Sequence, residues 1–297
     1  TQPWAASPPS QIYIAKGVTG IGNYTFASNS NMNKVVFQDA SDLTYIGQRA
    51  FYDDDNAVFT DEGSEDETTL NLSNVNKMGE YAFYNCDKLT GVELGGSIMA
   101  VETVEGKVKE TEHKIPNNAF NNSGLQTVTI PDGIQHIGDG AFGHTSLSKV
   151  EDLVLPDGLK TIGDNAFVVT MGSGETGIGI TSLTIPSSVN SIGANAFSGR
   201  RNLAEVTVED DNVPNTQLTL GNAAFGFNES SAFSEWGSIT DDRTGQKYEG
   251  TMGTKFYLPA DLTEKFINGT NCYTGDIEPM KWVKTQQPTC DTDGYHL

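Results

Sequence analysis

The sequence predicts a β-rich solenoid, a chain that coils repeatedly around one long core, and three observations support this prediction. Residues 130–142 (IPDGIQHIGDGAF), 155–167 (LPDGLKTIGDNAF) and 185–197 (IPSSVNSIGANAF) are close copies of one another. Repetition at this spacing is typical of arrays in which each copy forms one coil. A strand-type pattern precedes most copies, and only 36% of the 297 residues are hydrophobic. A solenoid tolerates that composition because its core grows in length instead of thickness.

The repeated core is a six-residue motif, IGxxAF, of which the chain carries eight versions. They occupy residues 21–26, 46–51, 78–83, 115–120, 137–142, 162–167, 192–197 and 220–225. Each ends in Phe, which we expect to fill the coil and to stack on its counterparts. We expect Gly at the second position to permit a turn closed to other residues, and Asn or Asp at the third to cap that turn. In IPNNAF, Pro116 replaces Gly, which predicts an irregular coil.

Two apolar residues separated by one position precede most motifs, and such alternation indicates a short strand with its apolar side chains inward. The pairs are Ile12/Ile14, Val35/Phe37, Leu70/Leu72, Val92/Leu94, Val128/Ile130, Leu153/Leu155, Leu183/Ile185, Val206/Val208 and Phe256/Leu258. We expect the nine strands to form one parallel sheet, with short helical turns on the opposite side.

The residues between the paired positions should point outward and align as a ladder, which is our candidate partner-binding surface. They are Tyr13, Val36, Asn71, Glu93, Thr129, Val154, Thr184, Thr207 and Tyr257. Two aromatics among hydroxyl-bearing residues suit a glycan or an extended protein segment. The alternative is a solvated strand face, in which Thr and Val occur because β-branched residues favour strands.

Residues 11–268 resemble the BspA-type leucine-rich repeats. The features that carry this resemblance are the strand pairs, the proline in VTIPDGIQHIGDGAF, the AFYNC sequence and a minimum repeat of 22 residues. The resemblance implies a right-handed leucine-rich-repeat superhelix with the ladder on its concave side. It implies a bacterial cell-surface or secreted protein that binds a host or environmental protein or glycan, and no catalytic residues. FYLPADLTEKF also resembles the end of such arrays, where a strand and a short helix form a cap.

The chain therefore divides into four parts. Residues 1–10 form a flexible leader and residues 11–225 the solenoid of eight coils. Residues 226–268 contain a long insertion, the capping strand and the capping helix. Residues 269–297 are a linker or the start of a further Cys-containing module.

The charge excludes two classes of partner. With 18 basic and 39 acidic residues the net charge is −21, so nucleic acids and anionic membrane surfaces are repelled. No run of 18 apolar residues is present, so we expect no membrane insertion by this chain. We expect an exported monomer.

No cofactor, metal or catalytic constellation stands out. GSGETG at 172–177 matches the dinucleotide fingerprint, but a strand follows it where that mechanism needs a helix. The four histidines, His113, His136, His144 and His296, share no metal-ligand spacing. An enzyme built in the insertions is a third possibility, after a binding module and a structural spacer without a ligand.

The acidic clusters and the cysteines have ordinary structural explanations. Asp53 to Asp55 and the stretch 61–67 could bind calcium, yet they lack the EF-hand spacing and are better explained as solvated loops. Cys86 is expected to be a small buried residue in a position that elsewhere holds polar turn residues. Cys272 and Cys290 could pair in an oxidising compartment, or Cys290 could pair with a residue beyond this sequence.

Four insertions interrupt the array. Those at 52–69, 168–181 and 226–254 follow a motif and precede a strand, so they should leave one rim of the solenoid. The insertion at 98–114 should lie on the other rim. Insertions on one side of an array can mark its binding side, or they can be loops whose length is tolerated.

Overall fold

The chain forms a parallel β-solenoid, as predicted. The computed structural model describes residues 7–39, 42–63, 69–104, 107–111, 113–169, 179–200, 202–203, 205–209, 218–221, 224–225, 239–240, 247–248 and 255–257. Each coil contributes one strand to a first face and one to a second face, and then passes through the motif on a turn side. We number the coils one to eight by their motifs.

The first face contains the strands predicted from the apolar pairs. They are β1 (Gln11–Ile14), β3 (Lys34–Phe37), β5 (Val58–Asp61), β6 (Thr69–Leu72), β8 (Gly91–Leu94), β12 (Thr127–Thr129), β14 (Asp152–Val154), β16 (Ser182–Ile185), β18 (Glu205–Val208) and β22 (Lys255–Tyr257). The paired apolar side chains from Ile14 to Val208 are buried, and Ile12 at the edge is half-buried. Burial of one side of each strand fixes its register.

The prediction of a single sheet was wrong in detail, because strand pairing divides the first face into three. The three sheets are β1-β3-β5, β6-β8-β12 and β14-β16-β18-β22. The first division arises from β5, a strand inside the predicted insertion at 52–69. Val58 pairs with Lys34, and Phe59 turns inward against Phe51 and Phe83. Coil three therefore supplies two strands to this face, β5 and β6.

The second face, which the sequence analysis did not predict, consists of short and mostly parallel strands in two sheets, and the break between these sheets lies in coil four. Its strands are β2 (Gly20–Ile21), β4 (Tyr45–Ile46), β7 (Lys77–Gly79), β9 (Met99–Val104), β10 (Lys107–Thr111), β11 (Lys114–Ile115), β13 (His136–Ile137), β15 (Thr161–Ile162), β17 (Ser191–Ile192) and β19 (Thr219–Leu220). Most have two residues, and the first position of the motif is the inward one. Ile46, Ile137 and Ile162, for example, are at most 1% exposed.

The turn side is built of stacked turns, and none of the described residues forms an α-helix. The predicted stack of phenylalanines is confirmed. The centres of successive rings lie 5.1–5.6 Å apart, at interplanar angles of 3–22°. The stacked residues are Phe26, Phe51, Phe83, Phe120, Phe142, Phe167, Phe197 and Phe225. The backbone N–H of each Phe up to Phe197 also donates to the Ala carbonyl of the next motif, for example Phe142 to Ala166 at 2.8 Å.

Glycine at the second motif position is required by close approach between coils and not by an unusual backbone angle. None of these glycines has a positive φ. A Cβ on Gly163 would lie 2.4 Å from Asp139 Oδ1 and 2.6 Å from the Asp139 nitrogen. On Gly79 it would lie 2.2 Å from the Gln48 nitrogen. The glycine therefore allows neighbouring coils to pack backbone against backbone.

The polar residue at the third motif position bonds to the next coil instead of capping its own turn. Asp139 Oδ1 accepts from the Asp164 N–H at 3.0 Å, and Asp164 Oδ1 accepts from the Ala194 N–H at 2.7 Å. Asn23 Oδ1 does the same for the Gln48 N–H at 2.9 Å. The Gly-Asx pair is thus a contact between successive coils.

The insertion at 98–114 forms an antiparallel hairpin of β9 and β10, with Lys107 paired to Val104. The coil that follows is interrupted on the second face, as Pro116 led us to expect, whereas its turn side is regular. The Ala119 N–H donates to the Pro116 carbonyl at 3.2 Å, and Phe120 remains in the stack. Proline is tolerated because β7 pairs with β9 and not with β11, so the close contact made by the glycines is relieved there.

Only backbone is described in the last part of the chain. β20 (Ile239–Thr240) and β21 (Lys247–Tyr248) form an antiparallel pair within the insertion at 226–254, and β22 pairs with β18 as the predicted capping strand. The expected capping helix, Leu258, His296 and the Cys272–Cys290 pair lie outside the described residues, as do GSGETG and residues 64–67.

Candidate functional site

The predicted ladder exists as three short rows. Tyr13 is in register with Val36, Asn71 with Glu93 and Thr129, and Val154 with Thr184, Thr207 and Tyr257. The first row also contains Thr60, which pairs with Val36 and was missed because β5 was not predicted. The structure therefore brings the candidates together within rows and separates the rows at the breaks in the first face.

Exposure differs along these rows. Val154 is 69% exposed and Tyr13 is 57% exposed, whereas Val36 is 6% exposed and Thr60 is 5% exposed. Asn71, Glu93 and Thr129 are exposed, Thr184 and Thr207 are half-buried, and the Tyr257 side chain is not described. Val36 is thus a packing residue, and the accessible ladder is made of Tyr13 and the two later rows.

A buried polar column lies three residues after the phenylalanines, in the position that we expected to be a tolerant turn. Its members are Asn29, Asp54, Cys86, Ser123, Thr145 and Arg200, all at most 6% exposed. Most bind a backbone carbonyl. Ser123 and Thr145 donate to the carbonyls of Phe120 and Phe142, at 2.7 and 2.6 Å, and Arg200 donates to that of Phe167 at 2.8 Å. These side chains satisfy carbonyls that the tight turns leave inside the coil.

Asp54, Cys86 and Arg200 are the members of this column with strongly altered acidity, and burial lowers the pKa of Arg200 to about 9. Asp54 Oδ1 accepts from the Asn29 N–H at 2.8 Å, but Oδ2 is buried without a hydrogen bond. Burial raises the pKa of Asp54 to about 8, an increase that the Asn29 hydrogen bond opposes and that Asp53 and Asp55 reinforce. Burial, with the charge of Asp54, also raises the pKa of the Cys86 thiol well above its usual range. Cys86 is therefore an unreactive core residue, as predicted.

The acidic clusters do not form a cation site in the part of the chain that the structure describes. No group of three or more His, Cys, Asp or Glu side chains there is arranged to hold a metal ion. Asp53 accepts from Asn85 Nδ2 at 2.6 Å, and Asp61 Oδ2 accepts from the Asn71 N–H at 2.9 Å. His136 Nδ1 lies 2.8 Å from Thr161 Oγ1, and burial followed by the charge of Lys160 lowers the pKa of this histidine.

A cluster that the sequence analysis missed lies on the turn side of coils one to three. We call it the tyrosine patch and define it as Tyr24, Arg49, Tyr52, Tyr81 and Tyr84. The Arg49 guanidinium carbon lies 4.8 Å from the centre of the Tyr81 ring, 5.5 Å from that of Tyr52 and 5.6 Å from that of Tyr24. Tyr52 and Tyr84 stack at 5.0 Å and 9°, and Arg49 Nη1 donates to the Tyr24 hydroxyl at 2.9 Å.

The backbone of the patch is that of the other coils, but the residues on it are unusual. The fourth motif position has a positive φ in the first seven coils: Tyr24 57°, Arg49 52°, Tyr81 58°, Asn118 55°, Gly140 61°, Asn165 56° and Asn195 54°. Glycine and asparagine adopt this conformation readily, whereas other residues lose about 1–2 kcal/mol. The printed sequence already shows the contrast, since coils one to three carry Tyr, Arg and Tyr where later coils carry Asn or Gly.

No helix among the described residues is long and apolar enough to cross a membrane.

Comparison with known proteins agrees with the repeat pattern. No curated protein matches the chain. Solved structures similar to it include a leucine-rich cell surface protein from Faecalibacterium prausnitzii, with 16% identity over 76% of this chain and 80% of that chain and a TM-score of 0.35. The pneumococcal vaccine antigen PcpA shares 18% identity over 91% of this chain and 80% of that chain, also with a TM-score of 0.35. A leucine-rich repeat protein from Bacteroides ovatus shares 13% identity over 89% and 83%, with a TM-score of 0.30.

The family comparison is more direct. Six copies of the BspA type leucine rich repeat region match over residues 6–60, 54–104 and 175–240, more than half of the chain. The matched segments contain coils in which the strand pair, the Gly contact and the stacked Phe have been described above. This chain belongs to the BspA-type leucine-rich repeat family.

Proposed function

We propose that the chain is a non-catalytic binding module of a bacterial cell-surface or secreted protein, and that it recognises a protein or glycan partner. The observation that carries this proposal is the accessible ladder on the first face. Val154, at 69% exposure, is the most exposed of the large hydrophobic residues that the structure describes, and it is in register with Thr184 and Thr207. An apolar side chain beside two hydroxyl groups offers both contact area and hydrogen bonds.

Similarity supports the proposed location. The family and the cell-surface protein of Faecalibacterium prausnitzii support export to the cell surface or beyond. The net charge of −21 supports a partner other than nucleic acid. A monomer is sufficient for this role, since each row of the ladder lies within one chain.

The test is a binding screen against arrays of glycans and extracellular-matrix proteins, followed by a ladder variant. Tyr13, Glu93, Thr184 and Tyr257 are replaced together by Ala, because Val36 is buried and would confound the result. We expect the variant to bind at least about tenfold more weakly at an almost unchanged melting temperature. Unchanged affinity would contradict the assignment of the ladder as the binding surface.

The second candidate function is a structural spacer that separates another module from the cell. The specific observation in its favour is the unbroken phenylalanine stack beside a first face divided into three. A spacer needs only the axial continuity that this stack provides. Uniform absence of binding in the same screen would favour it.

A further inference from the structure

We propose that the tyrosine patch is a docking surface for an arginine-containing basic segment of a partner protein. The patch occupies the turn side of coils one to three, whereas the ladder occupies the first face. The proposal rests on the proposed function in one respect, that the chain is a binding module. It uses different residues, so the two surfaces can be tested separately.

The coil does not require aromatic residues at these positions. In the column of Tyr24, Arg49 and Tyr81, later coils carry Asn118, Gly140, Asn165 and Asn195. In the column of Tyr52 and Tyr84, later coils carry Asn121, Gly143, Val168 and Ser198. The phenylalanines beneath are stacked equally well in both regions, at 5.2 Å between Phe51 and Phe83 and 5.3 Å between Phe142 and Phe167. The phenylalanine stack therefore does not depend on these aromatic side chains, which add a separate contact between coils two and three where Tyr52 stacks on Tyr84.

The backbone supports the same conclusion. Tyr24, Arg49 and Tyr81 all adopt the left-handed conformation, with φ of 57°, 52° and 58°. Asparagine would adopt it with less strain and is used there in coils four, six and seven. Strained positions of this kind gather where side chains contact ligands. The patch is also accessible, since Tyr24 is 44% exposed and the other four residues are half-buried.

The chemistry of the partner follows from the contacts already present. Arg49 shows that these rings accept a guanidinium group, since it lies within 5.6 Å of three ring centres. Stacked tyrosines attract cations through their ring electrons, and a planar guanidinium uses such surfaces better than an ammonium group does. An arginine from a partner can extend this arrangement over Tyr84, which stacks on Tyr52 and lies 5.6 Å from Tyr81.

The charges beside the patch favour a basic partner. Asp53 follows Tyr52 in the chain, and its carboxylate accepts from Asn85, the neighbour of Tyr84. Burial raises the pKa of Asp87, and the charges of Asp55 and Asp53 raise it further, whereas Lys88 opposes the increase. Asp53 and Asp87 are exposed and Asp55 is half-buried. These carboxylates, on a chain of net charge −21, attract a cationic segment and orient it toward the rings.

The experiment measures binding of three labelled nonapeptides, in which glycine alternates with Arg, Lys or Glu, by fluorescence anisotropy at two salt concentrations. The patch variant is Tyr81→Asn with Tyr84→Asn, which gives coil three the residues that coil four carries at Asn118 and Asn121. The matched control is Tyr13→Asn, an exposed tyrosine of the ladder. The quadruple ladder variant is measured in parallel.

We expect the Arg peptide to bind several-fold more tightly than the Lys peptide, and the Glu peptide not to bind. The patch variant should bind the Arg peptide about tenfold more weakly, and the control within about twofold of the unmodified chain. The melting temperature of the patch variant should not fall, because asparagine readily adopts the left-handed conformation of these turns. The ladder variant should keep its affinity for the Arg peptide even if the ladder proves to bind nothing.

Several outcomes would overturn the proposal. Equal binding of Arg and Lys peptides that disappears at high salt would leave only general charge attraction. An equal loss of affinity for the Arg peptide in the patch and ladder variants would show that binding is not localised to the tyrosine patch. A lower melting temperature with unchanged peptide binding would make the patch a packing device. Binding of a neutral glycan that Tyr84→Asn alone abolishes, without peptide binding, would assign the patch to a different class of partner.

Discussion

The turn sides of coils one to three and of coils five to seven have the same backbone and different surfaces. Both have a left-handed fourth position, a stacked phenylalanine and hydrogen bonds from coil to coil. At the fourth motif position coils five to seven hold Gly or Asn, and after the phenylalanine they hold the buried residues Gly143, Val168 and Ser198, whereas coils one to three hold the residues of the tyrosine patch. The buried column differs as well, with Asp54 and Cys86 in the first region and Thr145 and Arg200 in the second.

The comparison shows which parts of the repeat are required by packing. Phe and Gly are common to both regions because the coil interior and the contact between backbones leave no alternative. The fourth motif position and the position after the phenylalanine vary in size and polarity, so neither is fixed by the phenylalanine stack. The buried polar column is intermediate, since any side chain there must satisfy a backbone group, but several residue types can do so.

The largest effects are expected from the phenylalanine stack, and they should differ between the regions. Phe142 contacts the rings of Phe120 and Phe167, whereas Phe51 contacts those of Phe26, Phe37, Phe59 and Phe83. Replacing either by Ala should lower the free energy of unfolding by about 3–5 kcal/mol, with Phe51→Ala at the upper end. Urea denaturation measures both. A cost below about 1 kcal/mol for Phe142→Ala would mean that this ring is not a core residue.

The next effect should be equal in the two regions. Gly79→Ala and Gly163→Ala each place a Cβ less than 2.7 Å from backbone of the preceding coil, so each should destabilise by about 3 kcal/mol or more. The matched control is Gly158→Ala, since a Cβ on Gly158 meets nothing within 4 Å. The control should stay within about 0.5 kcal/mol of the unmodified protein. A tolerated Gly163→Ala would show that the coils can separate without loss.

A smaller effect distinguishes the regions by pH. Asp54 has a pKa of about 8 in the folded chain, against about 3.9 in an unfolded chain. Since the folded state retains a proton that the unfolded state has released, the stability that Asp54 contributes is present below about pH 4 and is lost as the pH rises to about 8. His136 and His144, whose pKa values are lowered, contribute in the opposite direction near pH 6.5.

The measurement compares unmodified protein with Asp54→Asn, so that the histidine contributions cancel. Stability of the unmodified protein relative to the variant should fall by a few kcal/mol between about pH 5 and pH 8.5. Thr145→Ser, in the equivalent position of coil five, should show no such difference in pH dependence. Parallel curves for Asp54→Asn and unmodified protein would place the Asp54 carboxyl in contact with water.

Periodicity made the core predictable, and the prediction failed where a feature depended on a single residue or on a contact between coils. The strand pairs and the phenylalanines follow from alternation and repetition, so their burial could be anticipated. β5 was missed because Phe59 is a single inward residue beside the acidic stretch that begins at Asp61. The reason for Gly163 was misassigned, because a contact between coils is not visible in one coil's sequence. The ladder was placed in register, but the breaks depend on which strands pair, and the motif does not encode that.

The tyrosine patch was missed for a different reason. Tyr24, Arg49 and Tyr81 occupy a motif position written as x, and Tyr52 and Tyr84 lie just outside the motif, so the repeat pattern gave no weight to any of them. Only the backbone angles show that Arg49 and Tyr81 replace residues that suit the turn better.

The seams in the first face have a mechanical consequence. On the turn side the stacked rings and the N–H to carbonyl bonds connect successive coils without a gap. On the first face β5 does not pair with β6, and β12 does not pair with β14. Ser146, Leu147 and Lys149 instead donate to the carbonyls of Leu125 and Gln126, which precede β12. Hydrogen-bonded ladders resist extension, and unpaired seams do not. Tension along the axis therefore opens the first face at coil three and between coils five and six, while the turn side holds its length. At both seams the segments stay joined by the turn side and by the second face, where β4 pairs with β7 and β13 with β15. Bending of the array about these two sides changes the spacing between ladder rows and leaves each row intact.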